Sequence, residues 1–296
     1  IQDGCDRHCA FCKISLARGK SRSLGAEDAL QQLISLERKG FTEVVLTGVN
    51  ISLYFDSGLG LPELLEFLLA GTKTIRLRLS SIEPDEITGD FFRVLANPRI
   101  RPHFHLSLQS GSTEILSKMG RSYTTEDIEK TVALLRKVKG DLFLACDIIA
   151  GFPGENDREF EKTFSMLERT GFAWIHAFPF SPRPGTPAFD FPGKVNEKDT
   201  VKRVRQLTDL ASKSRRDYIN RWKGKELEAV IEAGKKLPNG FVNAVSENYL
   251  KLLVNCGDDP GPAPGALIRC RILENGVSKD KFPGHFDAPA EIVSPS

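Results

Sequence analysis

Short apolar runs alternate, in the first part of the chain, with stretches in which apolar residues recur at a helical spacing. The runs at 43–47 (EVVLT), 103–108 (HFHLSL) and 142–149 (LFLACDII) have the length expected of strands. The same reasoning predicts strands at 1–2, 74–79 and 172–178, and helices at about 30–40, 61–69, 85–96, 125–138 and 156–170. Six β/α units in this order predict an α/β fold with a parallel sheet, either open or curved into a partial barrel. We then expect the active site in the loops at the carboxyl ends of the strands.

The pattern changes after residue 178. The proline-rich segment 178–194 (FPFSPRPGTPAFDFPGK) excludes regular structure and predicts an ordered loop. A helix is predicted from 196 to about 223, and its basic residues are Lys202, Arg203, Arg205, Lys213, Arg215, Arg216 and Arg221. Short strands follow at 226–232, 240–245, 249–254, 267–273 and 289–293, which is typical of a small β-barrel. We therefore predict two domains, 1–221 and 222–296.

Composition narrows the class of protein. The 296 residues are 40% hydrophobic, with 41 Lys and Arg against 39 Asp and Glu and a net charge of +2. Any contact with nucleic acid must therefore come from local basic clusters rather than from a global field. No apolar run approaches the roughly 18 residues that predict a membrane span, and no signal peptide opens the chain, so we expect a cytoplasmic protein without membrane association. The chain starts at Ile1 without Met, which we interpret as a fragment lacking its N-terminal part.

The candidate chemistry is concentrated in one cysteine loop. Three of the six cysteines, Cys5, Cys9 and Cys12, follow the first predicted strand, and the others are too scattered for a disulfide framework. Because a cubane iron–sulfur cluster usually takes four thiolates, three ligands leave one iron open to a substrate. The loop therefore predicts a [4Fe-4S] cluster that binds S-adenosylmethionine (SAM) and cleaves it reductively to a radical. A structural zinc site that includes His8 is the alternative.

The cysteine loop, with Phe11 before its third cysteine, resembles the signature of the radical SAM superfamily. Later motifs resemble the methylthiotransferases of that superfamily in order and spacing: LTGVN (46–50), RLSSIEP (78–84), HLSLQSGS (105–112), MGRSYT (119–124), DIIAGFPGE (147–155) and FSPRPGTPA (180–188). The resemblance covers about residues 1–220. The SSIEP segment resembles the branch that acts on N6-threonylcarbamoyladenosine at tRNA position 37. The C-terminal stretch resembles a TRAM domain, a small RNA-binding β-barrel.

This resemblance implies a partial (βα)6 radical SAM barrel that adds a methylthio group to C2 of the modified adenine. SAM would serve as methyl donor and radical source, tRNA as substrate, and a flavodoxin- or ferredoxin-like protein as electron donor. The family also has an N-terminal domain with three further cysteines for an auxiliary cluster, and nothing in the 296 residues matches it. The alternatives are a methylthiotransferase for isopentenyladenosine tRNA or ribosomal protein S12, and a non-enzymatic RNA-binding metalloprotein.

The residues expected to contact SAM follow the predicted strands or flank the cysteine loop. They are Phe11, Gly48, Val49, Asn50, Ser81, Glu83, Gln109, Ser110, Arg121, Asp147 and Gly151. Each also has a plainer interpretation: core packing for Phe11, turns for Gly48 and Gly151, a helix cap for Glu83, and a surface ion pair for Arg121. The basic helix, followed by a barrel with Phe241 and Tyr249, favours RNA binding over a solvated face.

Overall fold

The computed structural model describes residues 1–234, 237, 240–257, 261–274 and 286–293. Its first part contains β1 (Gln2–Asp3), α1 (Ile14–Arg18), β2 (Arg22–Ser23), α2 (Ala26–Arg38), β3 (Glu43–Leu46), β4 (Phe55–Asp56), β5 (Leu59–Gly60), α3 (Leu61–Gly71), β6 (Arg76–Leu79), α4 (Gly89–Leu95), β7 (His103–Gln109), α5 (Thr113–Lys118), α6 (Thr125–Lys139), β8 (Phe143–Ala150), α7 (Asp157–Thr170), β9 (Trp174–Pro179) and α8 (Glu197–Trp222). Three of these helices begin as their sequences predict, because the side chains of Thr124, Asn156 and Asn196 accept a hydrogen bond from the backbone N–H three residues later.

The parallel strands follow one another in chain order. β3 pairs with β6, and β7, β8 and β9 form a three-stranded sheet, all in parallel. A single parallel bridge from Gln2 to Gly48 places β1 beside β3. A second, from Ile82 to Leu106, joins the β3–β6 pair to the β7–β8–β9 sheet. The result is the predicted partial (βα)6 barrel. β1 differs from a regular first strand, because it pairs antiparallel with β2 and has only that one bridge to the parallel strands among the described residues.

Successive side chains of the parallel strands point alternately to the hydrophobic core under the helices and to the inside of the partial barrel. On β7, Phe104, Leu106 and Leu108 are completely buried in the large hydrophobic core beneath the helices. His103 and His105 point the other way, into a cavity on the inner side of the sheet. Since successive side chains of a strand alternate between faces, the polar and aromatic residues of these strands line the inside of the partial barrel.

The C-terminal part forms a closed five-stranded barrel. Its strands are β10 (Glu226–Ile231), β11 (Phe241–Ser246), β12 (Lys251–Asn255), β13 (Leu267–Ile272) and β14 (Ala288–Ile292). They pair in the order β10-β11-β12-β14-β13, with β12 and β14 parallel and the other pairs antiparallel. Closure removes the exposed strand edges that a small sheet would otherwise present. The small β-barrel predicted from the sequence is confirmed.

Buried ion pairs hold this barrel against the amino ends of the parallel strands. Arg101, with 2% of its side chain exposed, donates to Glu43 at 2.6 Å and to Glu228 of β10 at 2.9 Å. Arg78 donates to Glu43 at 2.7 Å and to the carbonyl oxygens of residues 246 and 247 in the barrel. Charges removed from water need such pairing, so these arginines fix the barrel in one position on the sheet.

We expect Arg101→Met to lower the free energy of unfolding by about 2 kcal/mol, because it leaves the nearly buried Glu43 carboxylate with Arg78 as its remaining ion-pair partner. Urea unfolding followed by circular dichroism measures the change. Arg93→Met is the matched control, since Arg93 pairs with Glu66 on the surface with 68% of its side chain exposed. Its expected cost is within about 0.5 kcal/mol. Equal effects of the two substitutions would contradict a structural role for the buried pairs.

Most predicted helices and strands are present within a few residues of their predicted ends. The structure adds β2, the β4–β5 hairpin and the short helices α1 and α5, which were not predicted. The predicted loop is irregular from 180 to 194 apart from a single helical turn at 187–189, whereas its first two residues, 178 and 179, belong to β9. Over the described ranges, no helix combines the length and the apolar character needed to cross a membrane.

Candidate active site

The cysteine loop follows β1 and is held from three sides. The backbone N–H of Cys5 donates to Gly19, the N–H of Ala10 donates to Met119, and the carbonyl of Ala10 accepts from Ala188. Arg7 reaches out of the loop to Asp85 and Glu86, at 2.8 Å and 2.6 Å. The loop backbone is therefore fixed by contacts with distant parts of the chain.

Within this loop, Cys9 is buried and Cys5 and Cys12 are partly exposed, all three as free thiols. Burial raises the pKa of the Cys9 thiol, Arg121 opposes that effect, and Cys5 and Cys12 add to it. The thiols are thus close enough to influence one another electrostatically. His8, the fourth ligand of the zinc alternative, is exposed.

A buried ion pair lies beneath the loop. Arg121 donates to Glu83 at 2.5 Å, with 4% and 7% of the two side chains exposed, and Asn50 donates to the other oxygen of Glu83 at 3.4 Å. The guanidinium also lies 5.9 Å from the ring centroids of Phe11 and Tyr123. Burial by itself lowers the pKa of Arg121, but Tyr123 and Glu83 outweigh it and raise that pKa above its ordinary value. The surface-pair and helix-cap interpretations are therefore wrong, because Arg121 is buried and Glu83 makes no side-chain cap.

The Gly48–Asn50 turn is joined to β1. The side chain of Gln2 accepts a hydrogen bond from the backbone N–H of Asn50 at 2.8 Å and donates to the carbonyl of Gly4. A Cβ on Gly48 would lie 2.8 Å from the carbonyl oxygen of Gln2, so glycine is required there by the approach of β1. Val49 is 38% exposed beside it.

The turn after β8 is held by α8. Gly151 has φ +79°, and a Cβ there would lie 2.3 Å from the Thr200 side chain. Its backbone N–H donates to Glu155 at 2.6 Å, and Arg203 of α8 donates to the same carboxylate at 3.0 Å. Burial raises the pKa of Glu155, although the Gly151 N–H and Arg203 act against it. The turn is thus shaped by a buried pair, whatever it binds.

Gln109 and Ser110, adjacent in sequence, are placed differently. Gln109 ends β7 with φ +70°, after an irregularity in its pairing with β8. Left-handed backbone at a residue other than glycine costs free energy and is concentrated at functional sites. Ser110 is completely buried, and its hydroxyl contacts Thr163 at 3.2 Å and accepts from the N–H of Ser112. The structure therefore does not bring Ser110 to the inside of the barrel.

Ser81, His105 and Asp147 meet on the inner face. The Ser81 hydroxyl lies 2.5 Å from Nδ1 of His105, and Oδ1 of Asp147 lies 3.2 Å from Nε2 of the same ring. His176 packs edge-on against His105, with ring centroids 5.3 Å apart, and burial lowers the pKa of His176. Ser81, His105 and His176 line a cavity of about 800 Å³ between the sheet, α8 and the barrel, and Asp147 reaches it through its contact with His105.

Several buried polar atoms around this site have no hydrogen-bond partner among the residues that the structure describes, namely Asn50 Oδ1, Ser80 Oγ and Arg121 Nε. Buried polar groups are almost always paired, so these atoms fit a polar ligand at the carboxyl ends of the strands. The three thiols fit an iron–sulfur cluster by their chemistry. In the described ranges, however, no three His, Cys, Asp or Glu side chains already converge on a common metal position.

The family model described as the Radical SAM superfamily matches residues 1–167, from β1 through most of α7. The chain belongs to the radical SAM superfamily. Membership implies a [4Fe-4S] cluster and SAM as cofactors.

Curated relatives extend this radical SAM assignment to nearly the whole chain. The threonylcarbamoyladenosine tRNA methylthiotransferase MtaB of Treponema pallidum (strain Nichols) is 42% identical over 277 residues, which are 94% of this chain and 56% of that protein. The tRNA-2-methylthio-N(6)-dimethylallyladenosine synthase of Cereibacter sphaeroides is 33% identical over 277 residues, covering 93% and 62%. The chain thus spans somewhat more than half the length of these two relatives.

Among solved structures, the radical S-adenosylmethionine methyltransferase TsrM from Kitasatospora setae has a TM-score of 0.53 and is 20% identical. It covers 63% of this chain, and the match covers 37% of TsrM. At this level of identity the similarity supports the radical SAM fold alone.

The sequence analysis missed Gln2, His105 and His176. The period of two along HFHLSLQ places His103, His105 and Gln109 on one face of β7, which is a usable signal. No comparable signal exists for Gln2, because its partner Asn50 is 48 residues away and the contact depends on the tertiary fold.

Proposed function

We propose that this chain is the radical SAM part of a tRNA methylthiotransferase that modifies C2 of N6-threonylcarbamoyladenosine at position 37. The observation that carries the proposal is the 42% identity to the Treponema protein of that name over 94% of the chain. The site agrees with it, because the cysteine loop, the orphaned polar atoms and a cavity large enough for a nucleoside lie on the inside of one barrel.

Cys5, Cys9 and Cys12 would hold the cluster in this proposal, and the cluster together with SAM would supply the radical chemistry that the C–H bond at C2 requires. Arg121 and Asn50, each with an orphaned atom near the loop, would bind polar groups of SAM, while Glu83 holds the guanidinium in place. Phe11, Gly48, Val49, Gln109 and Gly151 surround the same end, where their backbone and side chains would orient the cofactor and exclude water.

Asp147 has a different role in this proposal. Its carboxylate faces His105, so we assign it to the inner wall of the cavity. There the chain of Ser81, His105 and Asp147 would hold the modified base in position by hydrogen bonds, since all three present polar atoms to the cavity side of the sheet.

We propose further that residues 1–221 form the radical SAM domain and 222–296 a TRAM-like RNA-binding barrel. The basic helix α8 offers fewer unpaired cations for RNA binding than its composition indicates. Arg203 pairs with Glu155 and Asp157, Lys213 with Asp217, and Arg215 with Asp287. RNA contact by α8 would therefore depend on its remaining cations, together with aromatic residues of the barrel.

The experiment that tests this function uses the full-length protein that contains this chain, reconstituted anaerobically with iron and sulfide. Threonylcarbamoylated tRNA, dimethylallylated tRNA and a ribosomal protein S12 peptide are supplied separately with SAM and dithionite. Mass spectrometry of nucleosides and peptide should show the methylthio product only with the first substrate. Product from either of the others instead would overturn the substrate assignment. A zinc-containing protein with no SAM cleavage would overturn the enzymatic function itself.

A further inference from the structure

The inner cavity has two chemically different ends. Ser80 and Ser81 line it at the carboxyl ends of the strands, which is the end that carries the cysteine loop, although no residue of that loop lines the cavity itself. His103, Phe143 and Trp174, which also line the cavity, are the first residues of β7, β8 and β9 and so lie at the opposite end. Because a strand rises about 3.3 Å per residue, the seven residues of β7 separate these ends by roughly 20 Å.

Basic side chains dominate this second end. The cavity is lined here by four cations, Arg78, Arg215, Arg216 and Lys251. The carboxylate that lines it at this end is Asp287. Arg78 and Arg215 are neutralised, since Arg78 pairs with Glu43 and Arg215 with Asp287. Arg216 and Lys251 are exposed, and over the part of the chain that the structure describes neither side chain forms an ion pair.

Aromatic rings line the same cavity as these two cations. Tyr249 lies 4.2 Å from His103 between ring centroids, and the guanidinium of Arg215 lies over the rings of Phe143 and Trp174 at 5.2 Å and 5.1 Å. A cavity with aromatic walls and two uncompensated cations at one end favours a flat aromatic ligand that carries an anionic group.

The geometry of the proposed substrate matches these two ends. In adenine, C2 and C6 are separated by N1, so a base that turns C2 towards the cysteine loop directs its N6 substituent away from the loop. A threonylcarbamoyl group on N6 ends in a carboxylate, whereas a dimethylallyl group has no charge. We infer that Arg216 and Lys251 bind the carboxylate of the N6 substituent and thereby select the threonylcarbamoyl base over the dimethylallyl base. This inference rests on the proposed function and adds the residues that determine its specificity.

The test compares an acid with its neutral ester. Two synthetic anticodon stem-loops carry N6-threonylcarbamoyladenosine, one with the free carboxylate and one with its methyl ester, and fluorescence anisotropy measures their binding to the 296-residue chain. We expect the acid to bind about tenfold more tightly than the ester, which is the effect of one charge-assisted contact at a partly exposed site. The acid-to-ester ratio should approach one in the Arg216→Gln, Lys251→Gln double variant.

The ratio cancels any general loss of RNA affinity that follows from removing positive charge. Lys251→Arg, which preserves the charge, should keep the tenfold preference. Lys137→Gln, at an exposed lysine of α6 outside the cavity, should keep it as well. A preference that persists in the double variant, or a wild-type chain that binds acid and ester equally, would overturn the inference.

A failure of the inference can be distinguished from a failure of the proposed function. If the full-length protein methylthiolates threonylcarbamoylated tRNA while the acid and ester bind the chain equally, the function stands and the assignment of Arg216 and Lys251 fails. If the full-length protein modifies only dimethylallylated tRNA, the proposed function fails, and the inference built on it fails too.

Discussion

Replacing Cys9 by Ala abolishes the brown colour of the reconstituted protein and its conversion of SAM to 5′-deoxyadenosine. We expect this loss because the radical SAM cluster needs all three thiolates of the loop, and two ligands do not hold a cubane cluster. Cys9 is the buried member of the set, and Arg121 and Glu83 act in opposite directions on the pKa of its thiol. Absorbance near 400 nm, iron content and chromatography of 5′-deoxyadenosine measure the outcome. The same loss is expected for Cys5→Ala and Cys12→Ala.

Cys146→Ala is the matched control for these substitutions. Cys146 is completely buried among the apolar residues of β8, and burial raises the pKa of its thiol well above the ordinary value. A thiol held protonated in the core is not an iron ligand, so the variant should keep both the cluster and SAM cleavage at a modest cost in stability. If Cys9→Ala retained SAM cleavage, the assignment of the loop would be wrong.

The second large effect is that the 296-residue chain should cleave SAM without methylthiolating tRNA. With iron, sulfide and dithionite, the chain should bind about four irons and cleave SAM, yet form no methylthio product on threonylcarbamoylated tRNA. The reason is the state of the remaining cysteines. Cys146 lies in the core of the sheet, and burial raises the pKa of Cys270 inside the barrel to about 12. Neither position offers a thiolate, and Cys256, which is partly exposed, would supply one ligand by itself, too few for a second cluster.

Nucleoside mass spectrometry and an iron determination on the same sample check this prediction. The full-length protein, treated identically, is the positive control for product formation. Methylthio product from the 296-residue chain, or about eight irons per chain, would show that Cys146, Cys256 or Cys270 supports a second cluster.

The sequence predicted those parts of the fold that depend on local patterns. The succession of strands and helices and the small barrel follow from periodicity and turn residues over short windows. The cysteine loop was recognisable for the same reason, since Cys5, Cys9 and Cys12 are close together in the sequence.

Features that depend on distant contacts were not predictable. The sequence does not indicate that Ser110 faces Thr163 rather than the cavity, because a single irregularity near the end of β7 changes the direction of its side chain. It also presents Arg203 as one more basic residue of a helix, whereas in the fold that side chain is buried against Glu155. Composition describes charges along the chain, and pairing across the fold decides which of them remain available.

Helix α8 contacts both ends of this arrangement. Arg203 holds the Gly151 turn beside the cysteine loop end, and Arg215 binds Asp287 next to the barrel. Arg203 and Arg215 are 12 positions apart, which is a rise of about 18 Å along the helix axis. The length of this part of α8 therefore sets the distance between the two ends of the cavity. One inserted residue would rotate Arg215 by about 100° away from Asp287, so the distance from cofactor to barrel is encoded in a residue count.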